Sequence, residues 1–578
     1  MKLKKHFLLS FFIISACYFT YAQTIPAERI TNWNHAGYRG VIPVYDSIKN
    51  IIDYGGSGNG LTVNNAPLQN AIAALNGHNG VIYFPSGTFI FTAAIVLRSG
   101  LVLKGEGANN TMLQFNLSGA NDLITIAGTA ATTAIKIISA AFKDQSALLV
   151  EDASSLQPGD FIQIRQNDAT FLNDIWAAGS VGQIVQIESI SGDSVYLKNE
   201  LRMNYNLSDT PKIRKLNVAS GVGIECLKIK RLDATTIGLP RSNIYFYCAA
   251  NCWLKGIESD SSNFAHVQVT NSTNIEITNC YFHGSFSYDT GNGYGISCEF
   301  TSGECLVENN IFKHLRHAML LQAGANGNVF DYNYSIEPHK SESVPYDLSG
   351  DIVFHGNFPY LNLVEGNIVQ NIIIDVSHGM NGPGNTLFRN RAESYGIIMS
   401  AGSGDNSNIV GNEITGTGFG KGNYIILGNG NLEFGNNKNN VIIPTGTTPL
   451  ADRSYRYTSI PFWWNIPDTW PPLGIAAVLG SGTVPAKNRY STGTPTYCLD
   501  ALPVIYTFTG NGNWDIASNW VNGKIPPAVL YNGSNIVIDP DPAGECALNI
   551  PYTINPGVTI TVVAGKHFII DGNLFQAQ

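Results

Sequence analysis

Two His-Gly pairs in the second half of the chain have the spacing of a repeated element. The interval from His355 to Asn367 recurs unchanged from His378 to Asn390. Histidine has an ordinary pKa near 6.5 and exchanges protons at neutral pH. Two adjacent histidines also resist being charged together, which suits a pair acting as base and acid. The spacing predicts that consecutive segments of a repeat bring the two histidines side by side.

Other polar residues lie at matching distances from asparagines of the same kind. Tyr294 precedes Asn310 by the same interval that separates His317 from Asn333 and Asp351 from Asn367. This offset has the same parity as the offset of His355 and His378, and equal parity places side chains on one face of a strand. The residues at offsets of the opposite parity are apolar. We therefore expect these five residues to share the outward face.

Such a face could carry out β-elimination on a polymer of uronic acids. An arginine or lysine would offset the substrate carboxylate, a neutral histidine or tyrosine would take the C5 proton, and a second group would protonate the leaving oxygen. The predicted catalytic residues are His355, His378, His317, Asp351, Tyr294, Arg316 and Arg389. The predicted substrate-binding residues are Arg391, His339, Lys340, Trp463, Trp464 and Trp470.

Three alternatives stay open for these residues. Hydrolysis would need two carboxylates across the glycosidic bond, and Asp351 could pair with Glu299 or Glu342. The tryptophans could stack on sugar rings or simply cover the edge of the fold. The histidines and Asp351 are of metal-ligand type, but no metal is predicted on them.

Asparagines that follow apolar strand residues mark the repeat. They are Asn279, Asn310, Asn333, Asn367, Asn390 and Asn412. The intervals from 310 to 333, from 367 to 390 and from 390 to 412 are nearly equal, whereas those from 279 to 310 and from 333 to 367 are longer. A period of about 22–23 residues is typical of one coil of a parallel β-helix, in which stacked amides form a ladder. The two long intervals contain residues 283–293 and 335–350, which are predicted to form the walls of a cleft.

The N-terminal region carries short motifs in a fixed order. Residues 53–55 read Asp-Tyr-Gly, a helix follows around Gln69, residues 83–88 read Tyr-Phe-Pro-Ser-Gly-Thr, and residues 104–107 read Lys-Gly-Glu-Gly. This order resembles the first coil of the pectate-lyase superfamily of single-stranded right-handed parallel β-helix proteins. Residues 63–66 depart from it, since Asp-Asp-Thr is usual there. The resemblance implies the fold but little about the reaction, because lyases, hydrolases and phage tailspikes share it.

Composition and charge agree with an extended all-β protein. Charged residues make up 13% of the 578, and there are 59 glycines. A net charge of −9 disfavours nucleic acid as a partner, whereas an acidic polysaccharide needs only a local basic groove. Of nine cysteines, Cys248 and Cys252 have zinc-like spacing without further ligands. We expect the cysteines beyond Cys17 to be core thiols or to form one or two disulfides.

The predicted fold is an all-β, right-handed parallel β-helix with two additional β units. Its parts are a signal peptide (1–22), an N-terminal segment with the first coils (23–145), an inserted small β-barrel (146–215), the main coils (216–449), an aromatic and proline-rich cap (450–504) and a C-terminal β-rich unit (505–578). The basic start and apolar run of residues 1–22 predict export to a secreted or cell-surface location. Lipidation at Cys17 is the alternative.

These observations predict an exported polysaccharide-degrading enzyme, with a lyase favoured over a glycoside hydrolase. A non-catalytic carbohydrate-binding or adhesion protein on the same scaffold is the alternative from another class. The partner is a polysaccharide, and a monomer without a transmembrane segment is expected, since no later run approaches the ~18 apolar residues of a span. The residues require no cofactor. Calcium is the ion that the resemblance implies, although no dense carboxylate cluster is visible.

Overall fold

The computed structural model describes residues 23–119, 121–234, 241–342, 344–461, 463–464, 470–474, 478–498, 505–526, 530, 534–554 and 558–576. The predicted signal peptide and the lipidation alternative at Cys17 lie outside the described residues. Among the described residues, no helix is long and apolar enough to cross a membrane.

The main body is a right-handed parallel β-helix, which confirms the predicted fold class. Each coil adds a strand to three parallel sheets, and each strand pairs with its counterparts one coil before and one coil after. Two α-helices, Asn65–Ala73 and Pro485–Ser491, accompany the strands. Short 3-10 helices cover Ala27–Arg29, Trp33–His35, Ile51–Tyr54, Ile175–Ala177, Leu207–Asp209, Ala517–Asn519 and Val521–Gly523.

The strands of the solenoid fall into three series. The first sheet contains Ile48–Asn50, Gly80–Tyr83, Leu101–Lys104, Ala219–Ser220, Gly223–Glu225, Ala249–Lys255, Thr273–Thr278, Leu306–Glu308, Val329–Asp331, Leu363–Glu365, Thr386–Phe388, Asn408–Val410 and Leu432–Phe434. The second sheet contains Asn59–Val63, Gly87–Phe91, Thr111–Phe115, Lys228–Arg231, Glu258–Ser262, Tyr281–Ser285, Ile311–Lys313, Tyr334–Ile336, Glu413–Ile414, Asn436–Lys438 and Val441–Ile443. The third sheet contains Ile95–Leu97, Ile124–Ala127, Ile244–Tyr247, Ala265–Thr270, Tyr294–Glu299, His317–Leu321, Ile352–Phe354 and Asn423–Ile425. Ile368–Ile374 and Arg391–Met399 are long strands that begin in the second sheet and end in the third.

Inward-facing apolar side chains from all three sheets form one continuous core along the solenoid axis. The like position in successive coils holds like residues, so that Phe282 stacks on Phe312 with ring centroids 5.4 Å apart. Such stacking removes nearly all of each ring from water, which is the main favourable contribution to folding.

An asparagine ladder occupies one corner of the coils, as the repeat predicted. The Nδ2 of each residue donates to the Oδ1 of the next at 2.9–3.1 Å. Its members are Asn310, Asn333, Asn367, Asn390, Asn412 and Asn436. Including Asn279 in the ladder is wrong: the backbone N of Cys280 donates to Asn310, so a cysteine takes the preceding position. A second ladder joins Asn328, Asn362 and Asn385 at 2.9 and 3.0 Å.

The inserted unit is a closed antiparallel barrel with its own apolar core. Its strands are Thr129–Ala130, Ile135–Lys136, Ala147–Leu149, Phe161–Arg165, Gly182–Ser191, Ser194–Leu197 and Lys212–Asn217. A bridge between Ile137 and Val150 joins the two edges of the sheet. The barrel thus begins before the predicted boundary at 146, because its first two strands are too short to show an alternating pattern in the sequence.

The predicted cap lies along the side of the solenoid. We call its described residues within 450–498 the strap. The strap reaches Glu365 through the backbone N of Tyr455 at 2.9 Å and Glu413 through the backbone N of Gly474 at 2.8 Å. It ends at Cys498, which forms a disulfide with Cys226. The other cysteines in the described residues are buried thiols.

The C-terminal unit contains short parallel strands around a separate aromatic core that includes Trp514, Trp520 and Tyr552. The strands are Ile505–Phe508, Gly512–Asn513, Asn535–Ile538, Glu545–Leu548, Tyr552–Ile554, Thr559–Val562, His567–Ile570 and Leu574–Gln576.

Replacing an inner ladder residue should destabilise the solenoid strongly. In Asn367→Ala, the buried carbonyl of Phe330 and the backbone N of Asn333 lose their partners, now 2.8 and 2.9 Å from the Asn367 amide. We expect a loss of about 3–5 kcal/mol, measured as a lower guanidinium unfolding midpoint. The exposed Asn429→Ala is the matched control and should leave the midpoint unchanged. Equal midpoints for the two variants would contradict a structural role for the ladder.

Candidate functional site

A row of rings crosses the outward face of the third sheet. Tyr294 stacks on His317 with centroids 5.3 Å apart, His317 lies 5.5 Å from His355, and His355 meets His378 edge-on at 4.8 Å. We call these four residues the histidine row. Trp176, from the inserted barrel, continues it 5.3 Å beyond His378. The sequence prediction that Tyr294 and the three histidines come together therefore agrees with this geometry.

The two His-Gly pairs do not occupy equivalent positions in their coils, so that part of the sequence prediction is wrong. Phe354 pairs with Ile374, which places Asp375 beside His355. His378 lies in the turn that follows, where its carbonyl accepts from the backbone N of Asn357 at 2.7 Å. The coil has extra residues after the strand, and these carry the second imidazole back toward the first.

The glycines of these pairs permit the close packing of the site. Gly356 has a φ of +84°, and a Cβ there would lie 2.5 Å from the carbonyl carbon of His378. Gly379 has a φ of +79°, and a Cβ there would lie 2.6 Å from the side chain of Asn173 in the barrel. Only glycine combines a positive φ with the absence of a Cβ, so only glycine fits these positions without strain. The first glycine thus brings the two turns together, and the second admits the barrel loop.

Each of the two adjacent histidines is held by a carboxylate. His355 Nδ1 lies 2.7 Å from Asp375, and His378 Nδ1 lies 2.5 Å from Asp174. A carboxylate at Nδ1 accepts the ring proton and leaves Nε2 as the nitrogen that can react. Burial alone would raise the pKa of Asp375, but its hydrogen bond to His355 and that residue's charge outweigh burial and bring the pKa below its ordinary value.

The loop that carries Asp174 is latched to the solenoid. The Oδ1 of buried Asn357 accepts from the backbone N of Asn173 at 3.0 Å and of Asp174 at 3.3 Å. Sequence reasoning missed Asp174 and Trp176, which lie far before His378 in the chain and belong to a separate folding unit. No spacing signal links residues across such an insertion.

The other end of the row is more enclosed. His317 is 7% exposed, and its Nδ1 donates to the carbonyl of Gly350 at 3.1 Å. Burial, with the charge of Arg316 and the neighbouring His355, lowers the pKa of His317 well below its ordinary value, so this ring is neutral. Arg316 donates to the Tyr294 hydroxyl at 2.8 Å and pairs with Glu342 at 3.0 Å. Burial raises the pKa of Tyr294 despite that arginine.

Asp351 does not share the face of the histidines. Met319 pairs with Ile352, so Gly350, not Asp351, is next to His317. The Asp351 carboxylate is buried and accepts from Ser335 at 2.5 Å and from the backbone N of Gln370 and Asn371 at 2.9 and 2.8 Å. The predicted catalytic role is therefore wrong, because the register differs by one residue and one residue reverses the face.

Arg389 and Arg391 are structural, which corrects their predicted roles. Arg389 is 1% exposed and donates to the carbonyls of Asp452 and Leu473 in the strap at 2.6 and 3.1 Å. Arg391, equally buried, pairs with Glu413 at 2.7 Å and donates to the carbonyl of Gly482. Both guanidinium groups join the strap to the coils, although Nη2 of Arg391 is buried there without a hydrogen-bond partner among the described residues.

The tryptophans of the strap are likewise packed against the solenoid. Trp463 and Trp464 contact the ring of Tyr332 at 5.6 and 5.3 Å, and Trp470 donates to the Tyr332 hydroxyl at 3.1 Å. Of the two readings left open by the sequence, the covering role fits this packing. Trp176 is the tryptophan beside the histidines, and it is 41% exposed.

The two inserted loops contact each other, as the long intervals predicted. The backbone N of Thr290 donates to Glu342, and that of Ser341 donates to the carbonyl of Tyr288. His339 stacks on His314 at 4.8 Å and borders a cleft of ≈430 Å³, so it lies on the wall rather than in the row. Lys340 follows it on the same loop, half-buried, with its backbone N bonded to the Tyr346 carbonyl.

A metal-ligand cluster lies elsewhere on the solenoid. In the part of the chain that the structure describes, Glu258, Asp260 and His283 bring three ligand atoms within 4.8 Å of one another. The ammonium group of Lys228 lies 2.7 Å from Glu258 and 3.1 Å from Asp260, so a side chain already supplies the positive charge. The donor set does not fit calcium, which prefers six to eight oxygens.

Comparisons with known proteins agree with this architecture. Residues 48–204 match the family model described as rhamnogalacturonase A/epimerase, pectate lyase-like. The resemblance to pectate-lyase-like proteins is confirmed. The matched part of the chain comprises the first coils and most of the inserted barrel.

Phage proteins are among the relatives to which this chain is similar. A capsule K1-specific depolymerase of Klebsiella phage K64-1 is 24% identical over 44% of this chain and 29% of its own length. The pre-neck appendage protein of Bacillus phage phi29 is 24% identical over 74% of this chain and 46% of its own. The chain thus spans less than half the length of these curated relatives. The tailspike gp49 of Pseudomonas phage LKA1 has a TM-score of 0.47 at 14% identity, covering 91% of this chain and 78% of its own.

The buried Asp351 should make stability depend on pH in a defined direction. Burial raises the pKa of Asp351 from 3.8 to about 6, so the folded state holds its proton over a range in which the unfolded state releases it. The wild type should therefore lose stability as pH rises from 4 through 6, by up to about 3 kcal/mol from this group. Asp351→Asn should remove that loss, seen as a gain over wild type at pH 7.5 that disappears at pH 4. The exposed Asp53→Asn is the control, and a pH-independent difference for Asp351→Asn would refute the assignment.

Proposed function

We propose that this protein degrades a uronic-acid-containing polysaccharide by β-elimination at the histidine row. The observation that carries the proposal is the edge-on pair of His355 and His378, each with a carboxylate at Nδ1. Two imidazoles oriented in this way supply a base and an acid at neighbouring positions on an otherwise packed sheet.

The chemistry assigns one proton transfer to each ring. Neutral His355 takes the C5 proton through Nε2, and Asp375 stabilises the imidazolium that forms. The electrons of the broken C5–H bond form the C4–C5 double bond while the C4–O bond breaks. Protonated His378 gives its proton to the leaving oxygen. His378 suits this role because its side chain is 31% exposed and lies at the open end of the row.

Neighbouring groups support binding at the same place. Trp176 presents a partly exposed ring next to His378, and an aromatic face suits the apolar face of a sugar ring. Arg316 lies at the far end of the row with its guanidinium on Tyr294. It is the cation nearest in sequence to the row, and its ion pair with Glu342 must open for it to bind the substrate carboxylate.

The carboxylates of the site favour elimination over hydrolysis. A glycoside hydrolase needs two carboxylates across the scissile bond, one of them acting as an acid. Asp375 and Asp174 are engaged by the histidines, and Glu299 is buried and bonded to Gln268 and Gln322 at 2.7 and 2.6 Å. Glu342 is paired with Arg316. Each of these carboxylates is therefore engaged by another side chain, and no two of them form the free pair that hydrolysis needs.

The relatives support the substrate class. The depolymerase of Klebsiella phage K64-1 is described as capsule K1-specific, so one relative of this chain acts on a surface polysaccharide. Export of this chain by its N-terminal segment would place the enzyme where such polymers occur.

Elimination should appear as absorbance near 235 nm when the protein meets alginate, pectate, ulvan or a glycosaminoglycan. His355→Ala and His378→Ala should each abolish the signal, because each removes one proton transfer. Asp375→Asn should keep the fold and lower kcat by about 10²–10⁴, since the ring loses its orienting acceptor.

The matched control is His78→Ala, an exposed histidine on the N-terminal coil, which should leave the rate unchanged. New reducing ends without absorbance would replace elimination by hydrolysis. Neither product on any polymer would leave a carbohydrate-binding protein as the conclusion.

A further inference from the structure

A second pocket, of ≈500 Å³, lies where the inserted barrel meets the solenoid. Its wall includes Arg165 and Lys212 of the barrel, with Arg214 beside them, and Tyr247 of the third sheet. No carboxylate lines it among the described residues, although the whole chain carries a net charge of −9. We call it the cationic pocket.

The strand register forces the positive charges together. Arg165 is directly opposite Lys212 in the antiparallel pair, and Gln163 is opposite Arg214. Residues two apart share a face, so both arginines and the lysine project from one side of the barrel sheet. Like charges directly opposite each other destabilise a sheet. The barrel accepts this cost at the wall of the cationic pocket.

Neighbouring side chains hold the arginines in place without neutralising them. Gln163 is fully buried, and its amide donates to Asn271 and Thr301, which turns its Oε1 toward Arg214 Nε at 2.6 Å. Gly179 leaves room for the guanidinium of Arg165, since a Cβ there would lie 1.2 Å from Nη2. The nearby Asp168 carboxylate accepts instead from the backbone N of Gly179 and Val181 at 3.0 and 3.1 Å. Within the described residues, Arg165, Lys212 and Arg214 form no ion pair.

One buried polar atom of the pocket has no partner in the described structure. Gln166 is 7% exposed, lines the pocket, and its Oε1 accepts no hydrogen bond. A buried acceptor left unbonded costs about 1–3 kcal/mol. Rotation of the Gln166 amide toward the pocket would let a ligand hydroxyl donate to Oε1, whereas a simple anion, which has only acceptors, could not satisfy it.

We propose that the cationic pocket binds an anionic sugar residue, with its acid group on Arg165, Arg214 and Lys212 and a hydroxyl on Gln166 Oε1. The choice of a sugar rests on the proposed function, whereas the preference for an anion does not. Forked guanidinium groups suit carboxylate and sulfate oxygens, and Tyr247 adds a ring at the wall. The loop from Gln166 to Val181 leaves this pocket, contacts His378 with Asp174 and returns to it. An acidic polymer is therefore recognised both where this loop begins and ends, at the cationic pocket, and at its middle, beside His378.

The test is isothermal titration of the full chain carrying His355→Ala, in which bound polymer is not cleaved. The probes are pectate and alginate oligosaccharides, their carboxyl-reduced neutral counterparts, and inorganic sulfate. We expect a charged oligosaccharide to bind at least about tenfold more tightly than its neutral counterpart and than sulfate. Adding Arg165→Gln or Arg214→Gln should weaken that binding at least about tenfold. Lys136→Gln, an exposed lysine of the same barrel, should not change it.

Lys212→Gln serves as a second variant. The Lys212 side chain is exposed, so we expect its replacement to leave the fold of the barrel intact. Equal affinity in all variants, or no binding of any charged probe, overturns the proposal. Sulfate binding that needs Arg165 without tighter binding of an oligosaccharide also overturns it, because the pocket would then be an inorganic-anion site. Absorbance near 235 nm, measured with Arg165→Gln alone, separates the two proposals: a rise that persists in this variant but is lost in His355→Ala keeps the proposed reaction even where the pocket proposal fails.

Discussion

The backbone hydrogen bonds between consecutive coils determine everything else in this molecule. They hold each strand about 4.8 Å from its counterpart, so any residue in one coil is a direct neighbour of its counterpart in the next. The stacked phenylalanines, the asparagine ladders and the pair of Tyr294 and His317 all depend on that single distance. In each, a side chain finds its partner in the adjacent coil rather than nearby in the sequence. The Tyr294 and His317 end of the site needs only correct register, whereas the His378 end also needs the docked barrel that supplies Asp174.

Register in turn depends on polar groups that are buried and satisfied. The Asn367 amide bonds with neighbours on both sides, and Asp351 accepts three hydrogen bonds at the junction of the second and third sheets. A slip of one residue would leave all of these groups unpaired in the interior, at about 1–3 kcal/mol each. The coils are thus held in a single alignment, and the distances along the outward face of the third sheet follow from it.

The sequence allows the fold to be predicted because a solenoid repeats itself. The regular period of the asparagines identifies the coil, and the two long intervals locate the loops that meet at Thr290 and Glu342. Counting residues back from the asparagine of each coil gives the wrong position where a coil changes length. The residues around Ser349 and Gly350 move Asp351 off the outward face, and the turn before His378 breaks its equivalence with His355. Charge alone also misleads. It predicts a catalytic role for Arg389 and a substrate-binding role for Arg391, but the strap buries both side chains.

The part of the site supplied by the barrel could not be predicted at all. Asp174 and Trp176 reach His378 from a unit with its own core, and only the docking through Asn357 and Gly379 joins the two. A local repeat carries no information about how an inserted unit packs. The same insertion creates the cationic pocket, whose charges are ordinary surface arginines and lysines when read along the chain.

The strap changes how the solenoid should come apart. A stack of coils bonded only to nearest neighbours can lose its ends one coil at a time. Here one segment is bonded to coils as far apart as those of Asn279 and Glu413, and it is tied covalently at Cys226. Separating the coils between these points requires releasing the strap. Opening of these coils is thereby converted from gradual fraying into a single concerted event, which denies proteases the loosened ends that they attack.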